Sequence, residues 1–303
     1  MDQPLQNPPS PVAGTKHSAR SGIRPWLQLL HFGPSVFTTA AFGVYIALGA
    51  HGAVPTGRWA LLLGAQLATQ FAISLFNDYW DLPADRVTRP DKPIPAGVVS
   101  AARVRMLGVV AAALAVALAA PLGTRVLVCN VAGLAAGLLY DVRLKRTVAS
   151  PLPFAVGFGV LPLWAWAGVD RPWDAAVGLG ALLTAWLVLP LHLADTLPDL
   201  ESDRAVGVLG LAQRLGRRAT LALCWGALAG GLLVAGLLGT AGRADARVLG
   251  ATLAAGGSLL VASIMLYAWR GPAMLRPMAG LIEAAALLTS LGWLAAMTLP
   301  TSP

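Results

Sequence analysis

The stretch Asn77-Asp78-Tyr79-Trp80-Asp81-Leu82-Pro83-Ala84-Asp85-Arg86 places three acids and an amide at the end of an otherwise apolar segment. Asn77, Asp81 and Asp85 are spaced four residues apart, so on a helix or its first unwound turn their side chains project from one stripe. Mg²⁺ prefers carboxylate oxygens and completes its coordination shell with waters and substrate phosphates. The stripe predicts a magnesium site, with Asp78 as a further ligand; the alternative is a solvated helix end, where Asp and Asn are common.

A second copy of the stripe favours the magnesium site. It is Asp195-Thr196-Leu197-Pro198-Asp199-Leu200-Glu201-Ser202-Asp203-Arg204, in which Asp195, Asp199 and Asp203 each follow the corresponding residue of the first stripe by 118 positions. Carboxylates of like charge do not gather without a counter-ion. If the two stripes meet in space, we expect metal ions between them.

The composition is that of an integral membrane protein. Of the 303 residues 56% are hydrophobic and 12% are charged, and the mean hydropathy is +0.67. Soluble domains carry about twice that charged fraction. The net charge of +8 does not indicate nucleic-acid binding, because the basic residues are scattered between apolar spans. Cys129 and Cys224 lie inside apolar stretches and offer no disulfide framework.

Apolar runs long enough to cross a bilayer follow one another from residue 25 onward. We predict nine spans, at about 26–50, 58–77, 104–121, 125–141, 152–169, 173–195, 219–239, 246–268 and 277–299. Residues 1–24 are rich in Pro, Ser and Gly and predict a disordered tail. The domain plan is therefore a tail over 1–24, one transmembrane domain over 25–299 and a short C-terminal tail over 300–303.

The loop charges predict the orientation of these spans. With the N-terminus in the cytoplasm, the tail and the even-numbered connections hold 17 of the 22 basic residues. Both acidic motifs then lie on the cytoplasmic side, at the ends of the second and sixth spans, and the C-terminus lies outside. This orientation depends on an odd number of spans.

Basic side chains near the two motifs predict a diphosphate site, because Lys and Arg both bind phosphate. The cations are Arg86 and Arg204, which follow the last Asp of each stripe, Arg89 and Lys92 just downstream, and Lys145 and Arg146 after the fourth span. For Lys145 and Arg146 the alternative is that they only set the membrane orientation. For Arg204 and the other cations the pattern predicts charge neutralisation of a diphosphate beside Mg²⁺.

Four further polar residues lie within or at the ends of the spans. Tyr140 and Asp141 end the fourth span, and His192 lies three residues before Asp195, so all three are candidates for contact with an acceptor. The alternatives are a structural pair between Asp141 and Lys145 and a hydrogen-bonded core histidine at His192. Glu283 in the last span is costly in lipid and is a functional candidate for that reason, or it pairs with Arg276.

Several of these segments together resemble one family. They are Asn77-Asp78-x-x-Asp81-x-x-x-Asp85, Arg89-Pro90-Asp91-Lys92-Pro93-Ile94-Pro95-Ala96-Gly97, the segment from Tyr140 to Arg146, Asp199-x-x-x-Asp203-Arg204, and Arg214-Leu215-Gly216. Over residues 25–299 the chain is similar to the UbiA-type intramembrane prenyltransferases. The resemblance implies an all-α integral membrane protein with nine transmembrane helices around a central cavity. It also implies Mg²⁺ and an isoprenyl diphosphate bound between the two Asp-rich motifs.

Carried onto this chain, the resemblance matches Asn77, Asp81 and Asp85 to the first motif, Asp199 and Asp203 to the second, and Lys145 to a basic diphosphate contact. In many relatives the acid before the second motif lies three residues upstream, whereas Asp195 lies four residues upstream. The predicted catalytic set is Asp81, Asp85, Asp199, Asp203 and Lys145. The predicted metal ligands are Asn77, Asp78, Asp81, Asp85, Asp195, Asp199 and Asp203. The predicted diphosphate contacts are Asn77, Arg86, Lys92, Lys145, Arg146 and Arg204.

The predicted function is Mg²⁺-dependent transfer of an isoprenyl group from its diphosphate to a lipophilic, aromatic acceptor within the membrane. The apolar spans would hold the isoprenoid tail and exclude water from the carbocation. One alternative is a terpene cyclase on the same scaffold, in which the substrate's own double bonds capture the cation. A second is a transporter or scaffold that binds a cation or a lipid diphosphate without chemistry.

Overall fold

The computed structural model describes residues 22–50 and 53–299, and all regular elements in that part of the chain are helical. The α-helices are α1 (Arg24–Leu29), α2 (Phe32–Ala50), α3 (Thr56–Trp80), α4 (Leu82–Thr88), α5 (Ala101–Ala119), α6 (Thr124–Val142), α7 (Pro151–Gly168), α8 (Ala175–Thr196), α9 (Leu200–Ala205), α10 (Leu211–Leu215), α11 (Arg217–Ala241), α12 (Ala246–Arg270) and α13 (Leu275–Thr298). The predicted tails lie outside the described residues, except for residues 22–24, the last of which begins α1.

Eight segments of the described chain are long and apolar enough to cross a membrane. The eighth, Ala246–Thr298, is 53 residues long and contains two helices, α12 and α13, joined by the 3-10 turn Gly271–Met274. At 1.5 Å rise per residue, each of these two helices alone is longer than the ~30 Å apolar layer of a bilayer. The segment therefore has the length of two crossings.

The first predicted span, at about 26–50, contains the candidate membrane helix Phe32–Ala50, and the short helix α1 precedes it as a separate element. The chain leaves α1 at Leu30, His31 has a positive φ of 41°, and α2 begins at Phe32. Pro34 lies in the first turn of α2, where its missing N–H costs no hydrogen bond. The break gives the entry to α2 its own direction and leaves His31 close to the first acidic motif.

Six helices form a closed ring. Around the ring, α2 contacts α3, α3 contacts α6, α6 contacts α7, α7 contacts α8, α8 contacts α13, and α13 returns to α2. The helices α5, α11 and α12 pack outside this ring, mainly on α3, α8 and α13. Apolar side chains such as Val110, Leu237 and Met265 remain exposed on these outer helices, which is the surface that a lipid environment requires.

A glycine permits one of the closest contacts in the ring. A Cβ atom on Gly137 of α6 would overlap the side chain of Ile73 of α3, and Gly133, one turn earlier, faces Val160 of α7. Small residues at helix contacts let backbones approach closely in membrane proteins. Gly137 thereby draws the helix that carries Tyr140 and Asp141 against the helix that ends in the first acidic motif.

Candidate active site

The ring encloses a chamber with a volume of about 750 Å³. Its walls come from α2, α3, α6, α7, α8 and α13, and both acidic motifs line one end of it. The chamber continues along α3 and α7 as far as Gln66 and Trp164. Beside it lies a smaller apolar pocket of about 50 Å³ between α2, α8 and α13. The chamber and the pocket share Phe158 and Glu283 in their walls.

The first motif keeps its four-residue stripe across the end of a helix. The backbone N–H of Asp81 donates to Asn77 (2.9 Å), and that of Asp85 donates to Asp81 (2.8 Å), although α3 ends at Trp80 and α4 begins at Leu82. Asn77 Nδ2 also donates to Asp141 Oδ1 (2.7 Å), which joins the motif to α6. As a result, Asn77, Asp81 and Asp85 all line the chamber.

The second motif faces the same chamber through Asp195, Asp199 and Asp203. The guanidinium of Arg89, from the loop after the first motif, donates to Asp199 Oδ2 (2.6 Å). Asp203 Oδ2 accepts a hydrogen bond from Gln213 Nε2 (2.9 Å). Residues of both stripes line one chamber, and the Arg89–Asp199 pair links the loop after the first motif to the second motif, 110 positions away.

The protein's own cations are paired with the acids of both motifs. Lys145, buried after α6, pairs with Asp81. The Nζ atom of Lys92 lies 2.8 Å from a carboxylate oxygen of Asp78 and 2.8 Å from one of Asp85. These pairs offset the cost of burying carboxylates in the absence of other cations.

Two acids at the chamber carry raised pKa values. Burial raises the pKa of Asp85 above its usual range, although the Lys92 ammonium opposes the shift. Burial also raises the pKa of Asp203, and the Asp199 and Asp81 carboxylates add to the rise. Burial lowers the pKa of Lys92, but the Asp78 and Asp85 carboxylates more than offset this effect, so the net shift is upward. Both acids would gain from a further cation in the chamber.

Five of the predicted site residues do not line the chamber: Asp78, Arg86, Lys92, Arg146 and Arg204. Four of them directly follow a residue that lines the chamber: Asp78 follows Asn77, Arg86 follows Asp85, Arg146 follows Lys145, and Arg204 follows Asp203. Successive side chains on a helix are about 100° apart, so the second member of each pair turns away.

These five residues have other surroundings. Asp78 is buried against Lys92 and His31. Arg204 donates to the backbone carbonyl of Gln213, while Arg86 and Arg146 are exposed. Lys92 supports the first motif from behind.

Below the motifs the chamber wall is aromatic. Phe154 lies 4.4 Å from the His192 ring and 6.3 Å from Phe158, between ring centroids, and the two Phe rings are nearly parallel. Tyr140 meets His192 edge to face at 5.7 Å. His192 Nε2 lies 3.1 Å from Ser150 Oγ, so the histidine is hydrogen-bonded as well as facing the chamber.

The predicted structural pair between Asp141 and Lys145 does not form, because Lys145 pairs with Asp81 and Asp141 accepts from Asn77. Glu283 faces the chamber and does not pair with Arg276, whose guanidinium lies 3.8 Å from Asp199 instead. Sequence reasoning missed Gln213, Gln66 and Trp164. Gln213 lies in the short helix α10, and the other two are ordinary members of apolar helices, so neither spacing nor charge marks them.

The donor set at the motif end fits Mg²⁺. Within the described residues there is no preformed group of three or more His, Cys, Asp or Glu side chains arranged around a metal position. Mg²⁺ does not need one, since it is usually held by one or two carboxylates together with water and substrate phosphates. The carboxylates of Asp81, Asp85, Asp199 and Asp203 and the amide oxygen of Asn77 supply such oxygens from two sides of one chamber.

Comparisons with known proteins give one family. Residues 35–282 match the sequence profile described as the UbiA prenyltransferase family. The chain is 33% identical to a protoheme IX farnesyltransferase of Anaeromyxobacter dehalogenans over 234 residues, which cover 73% of this chain and 77% of that protein. It is 34% identical to a digeranylgeranylglyceryl phosphate synthase of Methanoregula boonei over 168 residues, 53% of this chain. That match spans 58% of the synthase's length.

Among solved structures, the fold matches a UbiA homolog from Archaeoglobus fulgidus bound to GPP and Mg²⁺, with a TM-score of 0.65. The match covers 91% of this chain and 100% of the homolog at 16% sequence identity. Likeness at that identity establishes the shared fold.

Proposed function

The chain belongs to the UbiA prenyltransferase family, and we propose that it transfers an isoprenyl group from an isoprenyl diphosphate to a lipophilic, aromatic acceptor inside the membrane. The observation that carries the proposal is the chamber itself, which has acids and cations at one end and aromatic walls below them. An isoprenyl diphosphate has the same two parts, a charged head and an apolar tail. The relatives' names support prenyl chemistry and leave the acceptor to be identified.

We assign the diphosphate to the motif end. Asn77, Asp81, Asp85, Asp199 and Asp203 would hold Mg²⁺, which when bound supplies positive charge beside the diphosphate. Of the other predicted metal ligands, Asp195 also faces the chamber, whereas Asp78 is a positioning residue that holds Lys92.

Lys145 and Arg89 line the same end of the chamber, and we assign them as donors to the leaving diphosphate. Donors placed where negative charge develops stabilise the transition state. The C–O bond to the isoprenyl group breaks, and its electron pair leaves with the diphosphate. Lys145 and Arg89 thus serve the bond-breaking step.

The aromatic wall serves the second half of the reaction. Phe154 and Phe158 line the chamber, and the negative face of an aromatic ring attracts a nearby cation, so we assign these rings to stabilisation of the allylic cation. With substrate bound, the apolar part of the chamber would shield the allylic cation from water that would quench it. The acceptor then attacks the cation and loses a proton. We assign the acceptor's orientation to Tyr140, Asp141 and His192, which face this level of the chamber.

We further propose nine transmembrane helices, with the N-terminus and both acidic motifs in the cytoplasm and the C-terminus outside. The division of the segment Ala246–Thr298 into two long helices supports the odd number of crossings. The excess of Lys and Arg on the motif side supports the orientation. A cysteine-accessibility scan of the loop residues tests both points.

The proposal is tested by the double variant Asp81→Ala, Asp199→Ala. We expect it to stay folded in membranes and to lose Mg²⁺-dependent diphosphate release from isoprenyl diphosphates. The matched control is Asp170→Ala, which removes an exposed carboxylate paired with Arg58 outside the chamber. Full activity of the double variant would rule out the assigned site.

A further inference from the structure

At the deep end of the chamber, two polar groups have no hydrogen-bond partner among the residues that the structure describes. Gln66 of α3 is 1% exposed and Trp164 of α7 is 1% exposed. Within the described part of the chain, neither Gln66 Nε2 nor Trp164 Nε1 has a hydrogen-bond partner, and both residues line the chamber. A buried donor left unpaired costs about 1 to 3 kcal/mol. Two such donors facing one chamber point to a ligand that accepts hydrogen bonds from them.

A local contact between α3 and α7 shows that the two donors lie at a similar level. Leu62 of α3 packs on Gly168 of α7, where a Cβ atom would lie 2.7 Å from the leucine Cδ2. Gln66 lies one turn nearer the motif end than Leu62, and Trp164 lies one turn nearer the motif end than Gly168. The helices run in opposite directions, so the two side chains occupy the same level of the chamber.

The donors determine the chemistry of the ligand. The indole N–H can only donate, so the ligand must bring an acceptor atom. Helices α2 and α7 carry no charged residue, and α3 carries none between Arg58 and Asp78. A carboxylate would be costly here because no cation accompanies it. A neutral carbonyl oxygen, with two lone pairs, fits two N–H donors.

The position of the donors separates this ligand from the isoprenyl tail. A hydrocarbon at this level would leave both N–H groups unpaired, whereas the smaller pocket between α2, α8 and α13 is lined mainly by apolar side chains such as Leu187 and Ala286. The tail therefore lies along the aromatic wall of the chamber, on the side of that pocket, which at about 50 Å³ is too small to hold an isoprenyl chain by itself. Gln66 lies eleven residues before Asn77 on the same helix, about 16 Å from the diphosphate end.

We propose that Gln66 Nε2 and Trp164 Nε1 form a subsite for a neutral carbonyl group carried by the acceptor molecule, on the part of the acceptor remote from the reacting atom. The inference rests on the proposed function, since it names a feature of the acceptor. It predicts an elongated acceptor whose carbonyl end reaches the level of Trp164.

The test is photolabelling with benzophenone of the full chain in phosphatidylcholine nanodiscs. Benzophenone carries one carbonyl oxygen and no donor. We expect labelled peptides from α3 or α7. We also expect 9-fluorenone to suppress this labelling at about one tenth of the concentration that fluorene needs. Fluorene differs from fluorenone only in having a methylene group in place of the carbonyl. In the double variant Gln66→Leu, Trp164→Phe, the two competitors should be equally effective, so the ratio of their effective concentrations should fall to about one.

The control variant is Trp166→Phe. Trp166 Nε1 also lacks a partner in the described residues, but Trp166 does not line the chamber, so the preference for fluorenone should stay. The double variant loses unpaired donors but also part of a buried ring that packs on Phe42, so its melting temperature is measured to confirm that it is folded at the temperature of the labelling assay. Labelling only outside α3 and α7, or an unchanged preference for fluorenone in the folded double variant, would overturn the subsite. Diphosphate release from geranyl diphosphate is measured separately, so a failure of the proposed function is distinguished from a failure of the subsite.

Discussion

Replacement of Lys145 by methionine tests the assigned diphosphate site most sharply. The Lys145 side chain is 7% exposed, faces the chamber and pairs with Asp81. Loss of one donor to a developing negative charge typically costs about 2.7 to 4 kcal/mol in the transition state. We therefore expect Lys145→Met to lower the rate of diphosphate release from geranyl diphosphate by roughly 100- to 1,000-fold at saturating Mg²⁺.

The same variant leaves Asp81 without its cation, so its stability must be measured as well. Asp81 is 22% exposed, and the penalty should be smaller than the 3–5 kcal/mol seen when a fully buried pair is broken. The double variant Lys145→Met, Asp81→Asn removes both charges and should regain most of the lost thermal stability. It should not regain activity, because the donor to the diphosphate is still missing.

The control is Arg143→Met, which removes an exposed cation two residues away that does not line the chamber. Its activity should stay within about threefold of the wild-type rate, in line with the small effects of exposed charges. The reasoning is refuted if Lys145→Met keeps more than a tenth of the wild-type rate, or if Arg143→Met loses as much activity as Lys145→Met does.

Two further variants test the motif end and the ring. Arg89→Leu should raise the KM for the isoprenyl diphosphate about tenfold and cost less than about 1 kcal/mol of stability. The control Arg217→Leu breaks an exposed pair outside the chamber and should leave KM unchanged in the same assay. Equal effects of the two variants on KM would contradict the role of Arg89. Gly137→Ala should lower the free energy of unfolding by about 1 to 3 kcal/mol, as measured by thermal unfolding. Adding Ile73→Ala to the same chain should restore much of that stability. An unchanged stability of the Gly137→Ala variant would contradict the close contact between α6 and α3.

The sequence predicted the local geometry of the motifs because that geometry depends on spacing alone. Residues four apart share a helical stripe, and the i to i+4 backbone hydrogen bonds of the first motif continue from α3 into α4. The same rule also shows why Asp78 and Arg86 turn away from the chamber, since each directly follows a residue on the stripe. That signal was present in the sequence.

Other features depend on the ring of helices and had no signal in the sequence. The Arg89–Asp199 pair joins positions 110 apart, and its partners become neighbours only when α3 and α8 enclose one chamber. Gln66 Nε2 and Trp164 Nε1 lack partners within the described ranges 22–50 and 53–299, and this too depends on how the helices pack. The break between α1 and α2 was missed because residues 26–50 read as one apolar run.

The most direct test of the proposed function is Mg²⁺-dependent diphosphate release by the purified protein from geranyl, farnesyl and geranylgeranyl diphosphates. The assay is run with and without a mixed pool of aromatic acceptors, and the products are weighed by mass spectrometry. We predict release that requires both Mg²⁺ and an acceptor and that yields a prenylated acceptor mass. Diphosphate release without an acceptor, with a hydrocarbon or terpene alcohol as product, would contradict the transferase assignment and establish a cyclase. No release from any of the three diphosphates would contradict both the transferase and the cyclase assignments.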